Sequence, residues 1–281
     1  MGKDLHRYPL ILITSALVGA LFLISLPGQV LAARPAQRIQ GRAGPTLSYI
    51  DTENPIFKTA RKHIPRILLP LSRVVASPEE HAALQRILNE PNATLMIALG
   101  EQFLMDWNKS KLLPVVYAAL ATSYREKNDY DRVVENAEKS IALDPDNVMA
   151  LAIVAHTLPK KPGENGLETA LKLSRSARYA QKGLELVGTL PGPVDVSAEE
   201  FEESKNYVRT MLHSSLGLIY LQRGMSVKSQ EEYEIAISLT SSPDPQDYFR
   251  LGEAYTQGYS PEEINYTKAI EAYGKASQLA P

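Results

Sequence analysis

The 281-residue chain contains no cysteine, and this absence excludes several classes of protein. Disulfide cross-links, thiolate nucleophiles, thiolate-rich metal sites and the acylated cysteine of a lipoprotein all require a residue that the sequence lacks. If the chain works outside the cytoplasm, it must therefore fold by packing and hydrogen bonding alone.

Histidine is scarce, with five residues, and none lies within helical reach of another. The sequence has neither a His-Glu-x-x-His pair nor histidines clustered with carboxylates at ligand spacing. The loops Gly-x-Ser-x-Gly, Gly-x-Gly-x-x-Gly and the Walker type, which serve nucleophiles and phosphates, are also missing. We therefore predict no catalytic residue, no metal and no cofactor, and we expect that the protein is not an enzyme.

No stretch alternates apolar and polar residues for long enough to predict a β-sheet. From Ser77 onward the pattern is helical almost without a break. Ser77 begins a Ser-Pro-Glu-Glu helix start that recurs at Ser260, and Ser197 begins the same signal without proline. In this signal the serine accepts from a free backbone N–H and the glutamate closes a capping box. The predicted fold class is all-α.

Residues 1–32 have the pattern of an export signal. A short basic start precedes an uncharged apolar run over residues 10–26, and a Pro-Gly pair ends that run. Val30 and Ala32 are the small residues that favour cleavage after Ala32. The alternative is an uncleaved membrane anchor over residues 10–26, a length near the lower limit for spanning a bilayer. Both interpretations predict a location outside the cytoplasm, periplasmic or secreted, with membrane contact only through this segment if it is uncleaved.

Residues 33–76 are predicted to be a basic linker that contains proline and glycine. From residue 33 to residue 75 there are eight lysines or arginines and only two acidic residues. These basic residues are scattered and have no aromatic residues between them, so we predict a solvated spacer and no binding of nucleic acid. Three prolines divide residues 55–76 into short apolar pieces that could cover one end of the following domain.

Residues 77–281 contain an internal repeat with a period near 34 residues. Three copies span residues 114–147, 210–243 and 245–281, the last with a longer turn over residues 259–263. Each copy carries a leucine, then a small residue, then a tyrosine at the same spacing: Leu120, Ala121 and Tyr124; Leu216, Gly217 and Tyr220; Leu251, Gly252 and Tyr255. The pattern resembles the tetratricopeptide repeat, a pair of antiparallel helices.

Packing explains this pattern. Leucine and tyrosine four residues apart lie on one face of the first helix, and the small residue lets the second helix approach closely. Weaker matches over residues 78–108 and 148–190 predict degenerate helical pairs. Within the former, residues 93–107 resemble a first helix whose partner is missing or displaced before Leu112. The helix that starts near Ser197 is predicted to be unusually long.

The resemblance implies that the helix pairs stack into an α-α superhelix, a solenoid whose first helices line a concave groove. Carrying the family's groove positions over to this chain gives a set of candidate partner-binding residues: Thr122, Arg125, His156, Leu218, Gln222, Phe249 and Glu253. The lysine and asparagine with which chaperone-binding members hold acidic C-terminal tails are replaced by Ala118 and Thr122, so that mode is not expected. The predicted partner is a protein or peptide, bound as an amphipathic helix or an extended segment.

Two further interpretations remain open at this point. The chain could be a structural subunit of a cell-envelope assembly that uses its ends and convex face. Its C-terminal end could also bind a second copy, because the apolar face of the last helix has no following repeat in this sequence to cover it.

The export signal generates a direct test. We expect the mature protein from its native host to begin at Ala33, because the Pro-Gly break and the small residues before it define one cleavage site. N-terminal sequencing of that protein measures this. Retention of Met1 would show that residues 1–32 are not removed.

Overall fold

The computed structural model describes residues 74–161, 163–192, 197–258 and 264–280. Within these ranges the chain forms ten α-helices and no strand, so the all-α prediction is confirmed. In chain order the helices are α1 (Pro78–Asn89), α2 (Ala93–Asp106), α3 (Leu113–Glu126), α4 (Tyr130–Leu143), α5 (Val148–Thr157), α6 (Gly166–Thr189), α7 (Ala198–Gln222), α8 (Ser226–Ser238), α9 (Pro245–Thr256) and α10 (Tyr266–Leu279). A short 3-10 turn, Leu158–Lys160, follows α5.

The helices pack as five consecutive pairs, from α1 with α2 to α9 with α10. The second helix of each pair also packs on the first helix of the next pair, and successive first helices contact one another. This neighbour-to-neighbour arrangement is that of a stacked helical solenoid. The superhelical fold class predicted from the repeat is therefore confirmed.

Side-chain caps set two of the helix starts where the sequence predicts them. The Ser77 hydroxyl accepts from the backbone N–H of Glu80 at 3.2 Å, and Pro78 occupies the first turn of α1. Ser197 and Glu200 form a reciprocal capping box that begins the 25-residue helix α7, which is as long as predicted. The predicted start at Ser260 lies outside the described residues, as do the export signal and the linker up to residue 73.

Helix α2 occupies the place of a second helix, and its prediction as a first helix with a missing partner is wrong. The short connection between Asn89 and Ala93 folds α2 back onto α1, and α1 contacts α3. The Tyr124 hydroxyl donates to Glu101 of α2 at 2.8 Å. The Tyr255 hydroxyl of α9 makes the same bond to Glu234 of α8, which is a second helix. The sequence pattern led to the wrong assignment because a small residue followed by an aromatic residue can pack in a first helix or in a second helix.

The turns inside two helix pairs each contain one residue in the left-handed backbone conformation. Asn128, between α3 and α4, has φ 58°, and Gly224, between α7 and α8, has φ 70°. They occupy the same position of the repeat. Glycine and asparagine are the residues that tolerate this left-handed conformation most readily, so the turn chemistry agrees with the repeat alignment.

The small residue of the repeat lies against the second helix of its own pair. A Cβ atom added at Gly217 would lie 2.9 Å from ring carbons of Tyr233, and one added at Gly252 would lie 2.6 Å from the ring of Tyr273. Such separations are shorter than van der Waals contact. Each glycine is therefore needed for its aromatic partner to lie flat against the first helix, as the packing argument predicts.

The hydrophobic core is divided along the stack. One cluster extends from α1 to α7, where its last member is Ile219, and Val74 and Ala76 also pack on it. A second cluster joins α7 to α10 through residues that include Leu218, Tyr233 and Leu251. In the described ranges no helix combines the length and the apolar character needed to cross a membrane.

The close approach at Gly217 predicts a matched pair of stability changes. Gly217→Ala should lower the free energy of unfolding by about 1–3 kcal/mol, because Tyr233 is only 1% exposed and its ring has no room to move. Gly274→Ala in α10 should raise it by about 0.5–1 kcal/mol, because alanine favours a helix and no atom lies within 4 Å of the added methyl group.

Urea titrations followed by far-ultraviolet circular dichroism measure both changes. Equal effects of the two alanines would contradict the proposed packing of Gly217 against Tyr233.

Candidate functional site

The candidate site is the groove, defined here as the inner surface formed by the first helices α3, α5, α7 and α9. The guanidinium of Arg125 on α3 donates to the Tyr207 hydroxyl on α7 at 3.3 Å and approaches the Met211 sulfur at 3.7 Å. A side chain of α3 therefore reaches α7 past the intervening helix α5. The side of α5 that this contact crosses is therefore taken as the inner side of the helical stack.

Much of the predicted groove wall is closed by packing between the first helices. Six residues on the first helices of the middle pairs are at most 6% exposed: Val115, Ala118, Met149, Ala152, Met211 and Ser214. Because α5 and α7 pack directly on each other, these side chains form core contacts. A partner would contact the polar residues around this closed strip.

The predicted site residues on α9 and the adjacent part of α7 have partners of their own. Leu218 is 9% exposed and belongs to the second core cluster. Phe249 packs against Tyr273 with ring centroids 5.5 Å apart, and Glu253 forms an ion pair with Arg250 at 2.7 Å. Leu218 is thus a core residue. The other two remain partly exposed.

Three basic residues converge in the groove and are called the basic cluster: Arg125, His156 and Lys160. The ammonium of Lys160 lies 2.7 Å from His156 Nε2, one helical turn earlier. Gln222, from the end of α7, donates to the backbone carbonyl of Pro159 at 2.9 Å and so fastens the 3-10 turn that carries Lys160. Of the seven predicted residues, the structure therefore brings together Arg125, His156 and Gln222. The Thr122 hydroxyl donates to the carbonyl of Ala118 at 3.0 Å, within its own helix.

Burial and like charge govern the basic cluster. Desolvation lowers the pKa of His156 well below its ordinary value, and the charges of Lys160 and Arg125 lower it further. The imidazole is therefore neutral near pH 7, and Nε2 accepts a hydrogen bond from the ammonium. Desolvation likewise lowers the pKa of Lys160 to about 8, and Arg125 contributes in the same direction.

Lys160 is nevertheless open to solvent, with an exposed side chain. Its charge interacts both with Arg125 of α3 and with Asp244 and Asp247 of α9. Helices from different repeats thus face Lys160 across the groove.

An acidic side chain lies deeper, between α7 and α9. Asp247 is 8% exposed and accepts a hydrogen bond from the Ser214 hydroxyl at 2.6 Å. Desolvation raises the pKa of Asp247 to about 7, and the nearby charge of Asp244 adds to this, while Ser214 and Lys160 oppose it. In the described part of the chain, no three or more histidine, aspartate and glutamate residues are arranged to hold a metal ion.

Sequence reasoning missed Lys160, Tyr207 and Asp247. Lys160 follows His156 by four residues and therefore shares its helix face, which was a usable signal. The proline at 159 instead suggested that the helix had already ended, whereas the structure continues it as a 3-10 turn. No local pattern marks Tyr207 or Asp247, because their partners lie on other helices.

Comparison with known proteins connects this geometry to a family. Residues 115–147, which hold most of α3 and all of α4, match the family model described as the tetratricopeptide repeat. No curated protein matches the chain. The architecture is that of a helical-repeat protein, and one of its helix pairs matches this family.

Solved structures are similar at low identity. A thermophilic TPR protein in Thermus thermophilus is 16% identical, with a TM-score of 0.48 over 72% of this chain and 92% of that one. A structure described as MamA MSR-1 C2 is 16% identical, with a TM-score of 0.45 over 71% and 92% of the two chains. The MamA RS-1 ArsTM double mutant is 15% identical, with a TM-score of 0.47 over 73% and 96%.

The environment of Asp247 predicts a pH dependence of stability. The pKa of this carboxyl is about 7 in the folded protein against an ordinary value of 3.8, so the folded state binds the proton more tightly. The stabilisation it gives is complete below pH 4 and is lost as pH rises through 7. Asp247→Asn, which keeps an acceptor for Ser214, should therefore be more stable than the wild type at pH 8 and show no such advantage at pH 4.

Thermal unfolding of both proteins from pH 4 to 8 tests this dependence. Asp129→Asn is the control, because that side chain caps α4 and is not among the charges that act on Asp247. Parallel pH profiles for the wild type and Asp247→Asn would contradict the assignment to Asp247.

Proposed function

We propose that this chain is an exported tetratricopeptide-repeat scaffold that binds a protein or peptide segment in its groove. The helix-pair stack and the matched repeat support a role in protein–protein interaction, because such stacks present extended concave surfaces. The pattern of residues 1–32 supports export to the periplasm or beyond. Fold alone does not assign a partner, so the argument depends on the groove itself.

The observation that carries this proposal is the basic cluster. Lys160 is exposed, its ammonium lies 2.7 Å from His156 Nε2, and the bond from Gln222 to the Pro159 carbonyl holds the turn that presents it, so the charge has a fixed place in the groove. Arg125 and Lys160 come from different helix pairs and still act on the same imidazole of His156. Charged groups held at a fixed place in a concave surface are suited to orienting a bound segment.

A second candidate function is supported by the outer side of α10. Tyr266 is 67% exposed and Ile270 is 71% exposed, and with Tyr273 they form the end face. The residue on α4 that corresponds to Ile270, Val134, is packed against the core by the next pair. An assembly subunit that docks through this end, to another chain or a second copy, would cover the end face.

Photo-cross-linking in the native host distinguishes the two candidates. A photoreactive amino acid at Gln222, exposed at the edge of the groove, should give one discrete adduct with a second protein. The same residue at Glu231, exposed on the second helix α8, should give none and is the matched control.

A third position decides between the candidates. If Ile270 forms the adduct and Gln222 does not, the end face is the binding surface and the groove proposal fails. Adducts of one molecular mass at all three positions would indicate contact without a defined site.

A further inference from the structure

We propose that the basic cluster is the docking site for a carboxylate of the bound segment, with Lys160 as its direct partner. This inference depends on the proposed function, because it names the chemistry that the groove recognises. The partner chemistry is a peptide segment that carries an aspartate or glutamate side chain, or a free C-terminal carboxylate, at the position that meets Lys160.

The first argument is the coordination of the ammonium group. An ammonium has three N–H donors, and Lys160 uses one of them for the Nε2 atom of His156. In the part of the chain that the structure describes, Lys160 forms no ion pair. The adjacent Lys161 differs, since it pairs with Asp131 on α4. Lys160 therefore has donors and a charge that the described residues leave open to a ligand.

The second argument is the balance of charge around that group. Arg125 and Lys160 act on each other and on His156 as like charges. Two acidic groups oppose them: Asp244, which caps α9 through the backbone N–H of Gln246, and Asp247, which is buried and bound to Ser214. A carboxylate arriving from solvent would be attracted by both cations. The neutral imidazole of His156 adds no charge of its own and accepts one N–H of the ammonium.

The third argument is accessibility. Lys160 is exposed, and the hydrogen bond from Gln222 to Pro159 holds the turn that presents it. A charge-assisted hydrogen bond formed at a partly desolvated site is stronger than one formed on a flat, solvated surface. The site is also distinct from the positions that hold acidic tails in chaperone-binding relatives, since Ala118 and Thr122 stand there in this chain.

Protonation of Lys160 couples this binding to pH. The carboxylate binds the ammonium form, and the pKa of Lys160 is about 8 in the unbound protein. Burial and the charges of Arg125 and Arg250 lower the pKa of Lys160, whereas the charges of Asp244 and Asp247 raise it. A bound carboxylate favours the ammonium and raises this pKa, so affinity should fall as pH rises above 8, where the unbound lysine loses its proton.

Peptide display on the full chain tests the inference. Two random libraries are selected, one with the variable residues internal and one with a free C-terminus, against the wild type, Lys160→Gln and Lys161→Gln. We expect peptides selected by the wild type and by Lys161→Gln to be enriched in a carboxylate at one position. Lys160→Gln should lose that enrichment although it changes the net charge by the same amount. The library that shows the enrichment identifies its source, side chain or C-terminus.

One selected peptide is then synthesised and titrated by fluorescence anisotropy. Lys160→Gln should weaken its binding about tenfold, the effect of one charge-assisted hydrogen bond. Lys160→Arg keeps the charge at all accessible pH values, so it should restore binding and remove the decline above pH 8. Circular dichroism of each variant checks that its helix content is unchanged.

The outcomes separate the two proposals. If no protein selects any peptide, groove binding and the carboxylate site both fail. If peptides are selected without enriched acids, or Lys160→Gln selects the same acidic peptides, the carboxylate site is overturned and groove binding stands. A Lys160→Arg variant that binds no better than Lys160→Gln would also overturn the assignment to the lysine charge.

Discussion

The separation between the two helices of a pair is the constraint on which the rest of this structure depends. In the last two pairs it is set by a glycine against an aromatic ring, Gly217 with Tyr233 and Gly252 with Tyr273. In the pair of α3 and α4, Ala121 stands at the position of the glycine and Ala137 at the position of the tyrosine, and both are fully buried. The first-helix residue is thus larger than glycine, and its second-helix partner is smaller than tyrosine. A methyl group on the first helix is therefore accommodated in the pair whose second helix carries no ring at that position.

Close pairing in turn determines how the pairs stack. The hydroxyl of Tyr124 reaches back to Glu101, and that of Tyr255 reaches back to Glu234, so two junctions between pairs are joined by the same tyrosine–glutamate bond. Both glutamates stand on second helices, which leaves the first helices to contact one another on the inner side. The stacking therefore brings the C-terminal ends of α3 and α5 together, and with them Arg125 and Lys160. The groove is a consequence of repeat geometry, but its charge is not.

The fold could be predicted from the sequence because the repeat depends on residue size at fixed spacing, which a single chain displays. The long helix α7 was predictable for the same reason, since no breaker interrupts residues 198–222. The groove was only partly predictable. The repeat frame places Arg125 and His156 on the inner side, but it does not show that the core continues to Leu218. Asp247 and Lys160 are 87 residues apart, and only the stacking places them across one surface.

The electrostatics of the groove follow from the same concavity. Desolvation moves the pKa of Asp247 up to about 7 and that of Lys160 down to about 8, so both groups shift towards neutrality for one reason. On the convex side Lys139 behaves oppositely, because its hydrogen bond with Glu135 raises its pKa. Because Lys139 is already paired with Glu135 on an exposed surface, an ion pair between it and a partner would add little binding free energy. A charge in the groove is poorly solvated and incompletely balanced, so a partner of opposite charge stabilises the ionised form as it binds. For this physical reason the proposed binding of a carboxylate at Lys160 would be linked to protonation.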